Sequence, residues 1–497
     1  MTSGASRPAP IKVLDLFAGC GGLTQGFHEY RPAGTDAPVF HTVGAVEWDR
    51  AAAATFAMNF GPAAANRQGV ESPLIVCDDI TGWEPPWAPG QVDVVVGGPP
   101  CQGFSGLNRR KVRAERNLLW LEFIHVVEAL QPKVFVIENV DRFLRSVEFK
   151  DLQSRVGHGR LKDYELVRPH GYEEAQTDWE RDKLYLLNAA DFGSPQARRR
   201  AIVMGVRKHS GVAEMRYPER THSRLGEPGT QQWVTVDELF KQTSGLELEP
   251  DLPVRPLSTV EGLDGKFAGP YRTSELHIER RPEPLSLSRY KAIPPKGNRK
   301  DLRGRYACRI VGGEELIIEQ LGPHRGADNQ LLVFGGYQVV WPLSDMGQQV
   351  TVRRIEPLDA ASGTSGRRSR SERFRADVVH RGVERTAELE YLSTLSWDLH
   401  DKGSGDVMGR LRPDSPSVTI RTEFFKPEKG RYLHPTEDRP LTHLEAARLQ
   451  GFPDNFQWYG SKIDIARQIG NAVPIPLGRK IAQSIYEYLA SPSAATG

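Results

Sequence analysis

An α/β fold built on a mostly parallel sheet, with a smaller, irregular β-containing second domain, is the architecture this sequence predicts. Short apolar runs that end in turn or acidic residues recur through residues 11–206, and segments of helical length separate them. From about residue 208 the texture changes: Pro, Gly, Arg and Glu are scattered, periodicity is weak and only short β-like pieces remain. The chain of 497 residues is also longer than one hydrophobic core usually organises.

The strands of the first region are expected at Ile11–Phe17, Val43–Val46, Leu74–Val76, Val92–Val96 and Val134–Ile137, with helices such as Arg50–Phe60 and Leu118–Leu130 between them. Leu184–Leu187 and Ala201–Val206, joined through a Gly-Ser-Pro turn, read as a hairpin that closes the sheet. Glu315–Leu321, Gln330–Phe334 and Tyr337–Trp341 are the β-like pieces of the second region, and "AASGTSGRRSRS" (360–371) reads as a low-complexity loop. Thr442 with Glu445 three residues on has capping-box spacing, and Leu477–Leu489 is an amphipathic helix fit to cover the first domain. The expected domains are therefore 1–207, 208–456 and a returning segment 457–497.

Composition narrows the function. Hydrophobic residues at 39% and charged residues at 26% suit a globular protein, and no run of 18 apolar residues offers a membrane span. No basic start followed by an apolar stretch marks a secretory signal, so a cytoplasmic place is expected. Four cysteines (Cys20, Cys77, Cys101, Cys308) lie too far apart for a zinc site or a disulfide framework, and no metal is expected. A net charge of +2 neither demands nor excludes nucleic acid.

"VLDLFAGCGGLTQGF" (13–27) is a strand, a glycine-rich turn and a helix, the arrangement that lets backbone approach a ligand. Thr24 stands where a dinucleotide fingerprint needs its third glycine, and "VEGLDGKF" (260–267) lacks the first glycine of a phosphate loop. Glu47 follows the second strand, where a carboxylate can take two ribose hydroxyls, and Trp48 can stack on a purine. Asp79 and Ile80 follow the third, where Asp79 can accept from an adenine amino group. These fit an adenosine-containing cofactor, although strand ends in any α/β fold collect Asp and Gly.

In "GGPPCQGFS" (97–105), Pro99 and Pro100 stiffen the loop that holds Cys101 after the fourth strand. A free cysteine is most often a small buried hydrophobe, but a strand-end loop is where such sheets act. "FVIENV" (135–140) delivers Glu138 beside it, where partial desolvation would favour a protonated carboxyl. "SPQARRR" (194–200) places Arg198 and Arg200 on one face and Arg199 on the other by alternation. Two cations on one site suit an anion or a polar base edge; a solvated charge run is the plainer alternative.

Taken in order, "DLFAGCGG", "GGPPCQGFS", "ENV", "QARRR", "RPLTHLEAARLQGFPDNF" (439–456) and "RQIGNAVP" (467–474) resemble the blocks of the DNA cytosine-5 methyltransferases of bacterial restriction–modification type. The resemblance covers about residues 11–206 and 405–490. It implies a Rossmann-like S-adenosylmethionine-dependent catalytic domain, a target-recognition domain over 208–456 and methyl transfer to C5 of a cytosine. Cys101 matches the nucleophile that adds to C6, Glu138 the residue at N3, and Arg198 and Arg200 the arginines that hold the base and the catalytic loop. Phe17, Gly19, Gly21, Gly22, Glu47, Trp48, Asp79, Ile80, Pro99, Asn471 and Val473 match the S-adenosylmethionine contacts. Asn108, Arg109, Arg110, Lys111 and Arg113 would clamp phosphates from a loop that closes over DNA.

The resemblance further implies a monomer on double-stranded DNA, near the nucleoid, with a cognate restriction endonuclease as functional partner. An orphan regulatory methylase, a tRNA cytosine-5 methyltransferase and a catalytically dead DNA-binding protein are the competing readings. The departure from the family lies at 303–395, which reads as an insertion or an enlarged recognition domain. Its Arg367, Arg368, Arg370, Arg373 and Arg375 offer phosphate contacts, or simply a solvated loop.

Overall fold

A computed structural model describes residues 10–100, 111–208, 214–326, 330–333, 335–358, 372–399 and 406–491. The chain divides into two compact units. The first comprises residues 1–278, 414–422 and 443–497, and the second 279–413 and 423–442. Residues up to Ile278 thus belong to the first unit.

The first unit is built on a sheet of eight strands: β1 (Ile11–Leu16), β2 (Phe40–Val46), β3 (Leu74–Val76), β4 (Val94–Gly97), β5 (Val134–Asn139), β6 (Tyr164–Leu166), β7 (Leu186–Asn188) and β8 (Arg199–Arg207). Their order is β3-β2-β1-β4-β5-β8-β6, with β7 also on β8. The first five run parallel, and β2 is buried along its whole length, as a strand covered by helices on both faces must be. β8 runs antiparallel to β5, β6 and β7, so its first residues lie at the carboxyl edge of the parallel strands. The expected hairpin of β7 with β8 forms, but it does not close the sheet: β6 stands beyond β8.

Local chemistry sets the helix limits. Asp49 caps the helix Arg50–Phe60 by accepting from the Ala51 and Ala52 amides, and Gly61 with Pro62 ends it. The amphipathic C-terminal helix, Ile475–Leu489, lies on the helix Gly22–Glu29. Their backbones meet at Gly26, where a Cβ would come 2.7 Å from the Arg479 amide nitrogen. Smaller pairs surround the sheet: β9 (His222–Ser223) with β10 (Gln231–Gln232), β11 (Ser258–Val260) with β12 (Leu263–Phe267), and β13 (Tyr271–Arg272) with β20 (Gln457–Trp458).

The second unit contains a closed antiparallel barrel, β14 (Arg305–Ile310), β15 (Glu315–Gln320), β16 (Gly335–Trp341), β17 (Gln349–Pro357), β18 (Arg373–His380) and β19 (Val383–Tyr391). β14 pairs with β19 and so leaves no free edge. Tyr306, Cys308, Leu316, Ile318, Tyr337 and Leu389 fill its core. Arg381 and Gly382, both at positive φ, make the two-residue turn from β18 to β19 that the strand twist favours. Residues 303–395, expected as an insertion or an enlarged recognition domain, thus contain a regular barrel. Of the expected β-like pieces, Gln330–Phe334 contributes only an isolated bridge at Leu331, and Phe334 lies outside the described residues.

Charges on the barrel wall are matched across strands. Arg375 stands opposite Glu356 and Glu388, Arg354 opposite Asp377, and Arg373 is ion-paired to Glu388. Arg373 and Arg375 are therefore members of a charge ladder across the barrel strands. Arg367, Arg368 and Arg370 lie outside the described residues. No helix among the described residues is long and apolar enough to cross a membrane.

Candidate active site

The sheet brings the expected groups to one edge because every parallel strand ends there. After β1, Phe17 (φ 55°) and Gly19 (φ 56°) turn left-handed, and Gly21 (φ 88°) caps the helix from Gly22. A Cβ on Gly22 would come 2.9 Å from the Val473 carbonyl oxygen, so glycine is what lets the C-terminal block lie against this turn.

Glu47 follows β2 and is buried, its Oε2 accepting from the Gly19 amide at 2.7 Å and its Oε1 from the Asp49 amide at 2.8 Å. Burial pushes its carboxyl above the usual range, and these amides oppose the shift. Trp48 beside it is 77% exposed, a free indole face at the rim. Asp79 is exposed and accepts from both the amide and the hydroxyl of Thr81, which hold its carboxyl below the usual range; Ile80 is buried. Asp15, at the end of β1, is buried and accepts from the Thr24 hydroxyl at 2.5 Å; burial pushes its carboxyl up to about 7.

β4 runs into Gly98, Pro99 and Pro100; Cys101 itself lies outside the described residues, as do Asn108, Arg109 and Arg110, and Lys111 begins the next helix. The root of the cysteine loop is held from β5: the Asn139 side-chain amide donates to the Pro99 carbonyl at 3.0 Å. Glu138 lies against Gly98, where a Cβ would come 3.0 Å from its Oε2. Its other oxygen is 2.8 Å from Arg200 Nε, so the carboxylate is paired rather than lone.

The two arginines differ from the expected matched pair. Arg198 is 2% exposed and donates to the carbonyls of Ile420, Gly470 and Asn471 at 2.8, 3.0 and 3.4 Å. It joins three segments of chain, whereas Arg200 reaches Glu138. The reason is that Arg198 precedes β8 and points into packed backbone, not along the strand's face.

A cavity of about 1200 Å³ collects Phe17, Gly19, Gly22, Glu47, Trp48, Asp79, Ile80, Pro99, Glu138, Arg198, Arg200, Asn471 and Val473. Gly21 is not on its wall; a Cβ there would strike Phe60 at 2.4 Å. Thr419–Thr422, inside the stretch 405–490 that carries the resemblance but without an expected role, also line it. That segment is laid beside the entrance to β8, Gln196 pairing with Ser417, a contact made only by folding. Among the described residues no group of three or more His, Cys, Asp or Glu is placed to hold a metal ion.

The family model for C-5 cytosine-specific DNA methylases matches residues 11–250 and 347–487. Type II methyltransferase M.AgeI of Thalassovita gelatinovora is 30% identical over 96% of this chain and 99% of its own length. M.NgoFVII of Neisseria gonorrhoeae is 33% identical over 98% of this chain and 88% of its own. DNA (cytosine-5)-methyltransferase 1 of Gallus gallus is 29% identical over 96% of this chain, which spans 30% of that longer protein. Family match, near-full-length relatives and a strand edge that gathers the blocks together agree: the chain belongs to the C-5 cytosine-specific DNA methylases and is a DNA (cytosine-5-)-methyltransferase.

Proposed function

We propose that this enzyme methylates one cytosine within a specific duplex sequence, by covalent catalysis at Cys101, and thereby protects host DNA from a cognate endonuclease. The observation that carries the reading is one cavity holding the glycine turn, Glu47, the root of the cysteine loop and Glu138.

The residues present fit S-adenosylmethionine. Glu47 retains lone pairs for ribose hydroxyls, Trp48 offers a stacking face, Asp79 an acceptor for an amino group, and Gly19 on the cavity wall leaves open space where a side chain would intrude. Bound there, S-adenosylmethionine supplies an electrophilic methyl group for C5 of the base.

The chain's part is to make C5 nucleophilic. The Cys101 thiolate adds to C6 while a proton reaches N3 near Glu138, which leaves an enamine at C5. Once C5 carries the methyl group, loss of the C5 proton expels the thiolate, and the proton on N3 returns towards Glu138. C6 is inaccessible in a stacked duplex, so the cytosine must be extruded, at a cost of about a few kcal/mol. Arg200 orients Glu138 for its contact with the ring. We place the enzyme in the cytoplasm, on nucleoid DNA, as a monomer.

Labelled S-adenosylmethionine with mixed-sequence duplex DNA, and with tRNA in parallel, tests this directly. The expected result is 5-methylcytosine at one DNA sequence and none in tRNA. Cys101→Ser should abolish transfer while cofactor affinity stays within about twofold. Absence of label in all duplexes would sink the reading.

A further inference from the structure

Charge is ordered along the carboxyl edge of the sheet. In the strand order β3-β2-β1-β4-β5-β8, the tips of the first three carry Asp78 and Asp79, Glu47 and Asp49, and Asp15 on the cavity wall. The root of the cysteine loop and Glu138 follow in the middle, and Arg198, Arg199 and Arg200 stand at the far end. A polyanion is drawn to the arginine end; at the other end Asp49 is already paired with Arg467 at 3.0 Å, and burial pushes the Asp15 and Glu47 carboxyls toward their neutral forms.

Two of these arginines are already committed, Arg198 to three carbonyls and Arg200 to Glu138. Arg199 is exposed on the same wall, and so is Arg421. Among the described residues neither side chain has a carboxylate partner. Both are held on firm backbone. Arg199 begins β8, opposite Asn188 of β7. The segment bearing Arg421 is fixed to the approach of β8: the Ala197 amide donates to the Ser417 carbonyl at 2.8 Å and the Ile420 amide to Gln196 Oε1 at 2.9 Å. Behind it, a Cβ on Gly470 would lie 2.4 Å from the Arg421 carbonyl carbon, so the backbones are in close contact.

We propose that Arg199 and Arg421 bind the DNA phosphates on either side of the extruded cytosine. This rests on the base-extrusion reading above. A nucleotide swings out about its two flanking phosphates, which brings them to the mouth of the cavity that receives the base. Two rigidly mounted, unspent guanidiniums at that mouth meet them with charge-assisted hydrogen bonds.

The test uses the full chain and duplexes containing the methylated sequence, with the phosphate 5′ or 3′ to the target cytosine replaced by a neutral methylphosphonate. Arg199→Gln and Arg421→Gln should each weaken DNA binding about five- to tenfold and lower the slope of log affinity against log salt by about one. Each methylphosphonate should weaken wild-type binding, and one of the two should cost the matching variant nothing further. Affinity for S-adenosylmethionine should not change, which verifies the fold. Variants that bind like wild type with the same salt slope, or losses that simply add, would overturn the assignment. A 2-aminopurine at the target position separates the premise: no rise in fluorescence overturns extrusion and the assignment with it, whereas a rise with additive losses overturns the assignment alone.

Discussion

Asp15 carries a burden that its neighbours do not. Its carboxyl is buried beneath the glycine turn with one hydroxyl donor, and burial pushes it up to about 7 while Glu47 nearby adds to the rise. In the unfolded chain it titrates near the ordinary value of 3.8. Between those values the folded state holds the proton and the unfolded state has released it. Stability therefore falls as pH rises from about 4 to about 7, by at most about 4 kcal/mol, and is flat in this respect above that. Asp15→Asn, which keeps the shape and cannot ionise, should lose this slope. Urea unfolding of both proteins at pH 5 and pH 8 checks it: an equal pH dependence in the two would show that Asp15 is not the source. Glu47, also raised by burial, has two amide donors to stabilise its charge, which Asp15 lacks.

Elements meet at the entrance of β8, and the arginines there separate structure from chemistry. Arg198 joins β8, the segment around Ile420 and the end of the helix Lys462–Asn471. Arg198→Ala would leave buried carbonyls without donors, at a cost of about 2–4 kcal/mol in denaturant unfolding. Arg200→Ala leaves Glu138 without its partner at a site where the two side chains are only 14% and 13% exposed, so it too should cost about 1–3 kcal/mol, but unlike Arg198→Ala it should lower turnover through a misplaced Glu138. Equal loss of turnover in both folded variants would show that the two arginines share one role.

At the scale of the molecule, the barrel is a core of its own. Leu389 is fully buried inside it. Leu389→Ala should destabilise the second unit by about 2–5 kcal/mol and bring its unfolding forward in denaturant. Cofactor affinity, which belongs to the first unit, should survive at concentrations where the barrel has begun to melt. A single transition shifted as a whole, with cofactor binding lost in step, would show that the two units unfold together.

Much of the first unit was legible in the amino-acid order, because a parallel strand buried on both faces is a short apolar run and its tip is a turn. Arg50–Phe60 matches its helix end to end, and residues of the blocks from Gly19 to Val473 line one cavity. Of the barrel, Glu315–Leu321 and Tyr337–Trp341 are legible as strands, whereas loops of uneven length and outer charges mask the alternation of the others. Arg198 and Arg200 look equivalent in a run of three arginines. Which one holds backbone and which one meets Glu138 depends on what packs around each. Sequence by itself determined the family and the order of its blocks along the chain, since local apolar pattern and turn residues set the strand tips. Tertiary structure alone decided how those tips are filled, because Thr419–Thr422, far away in the chain, arrive at the edge only when the chain is folded.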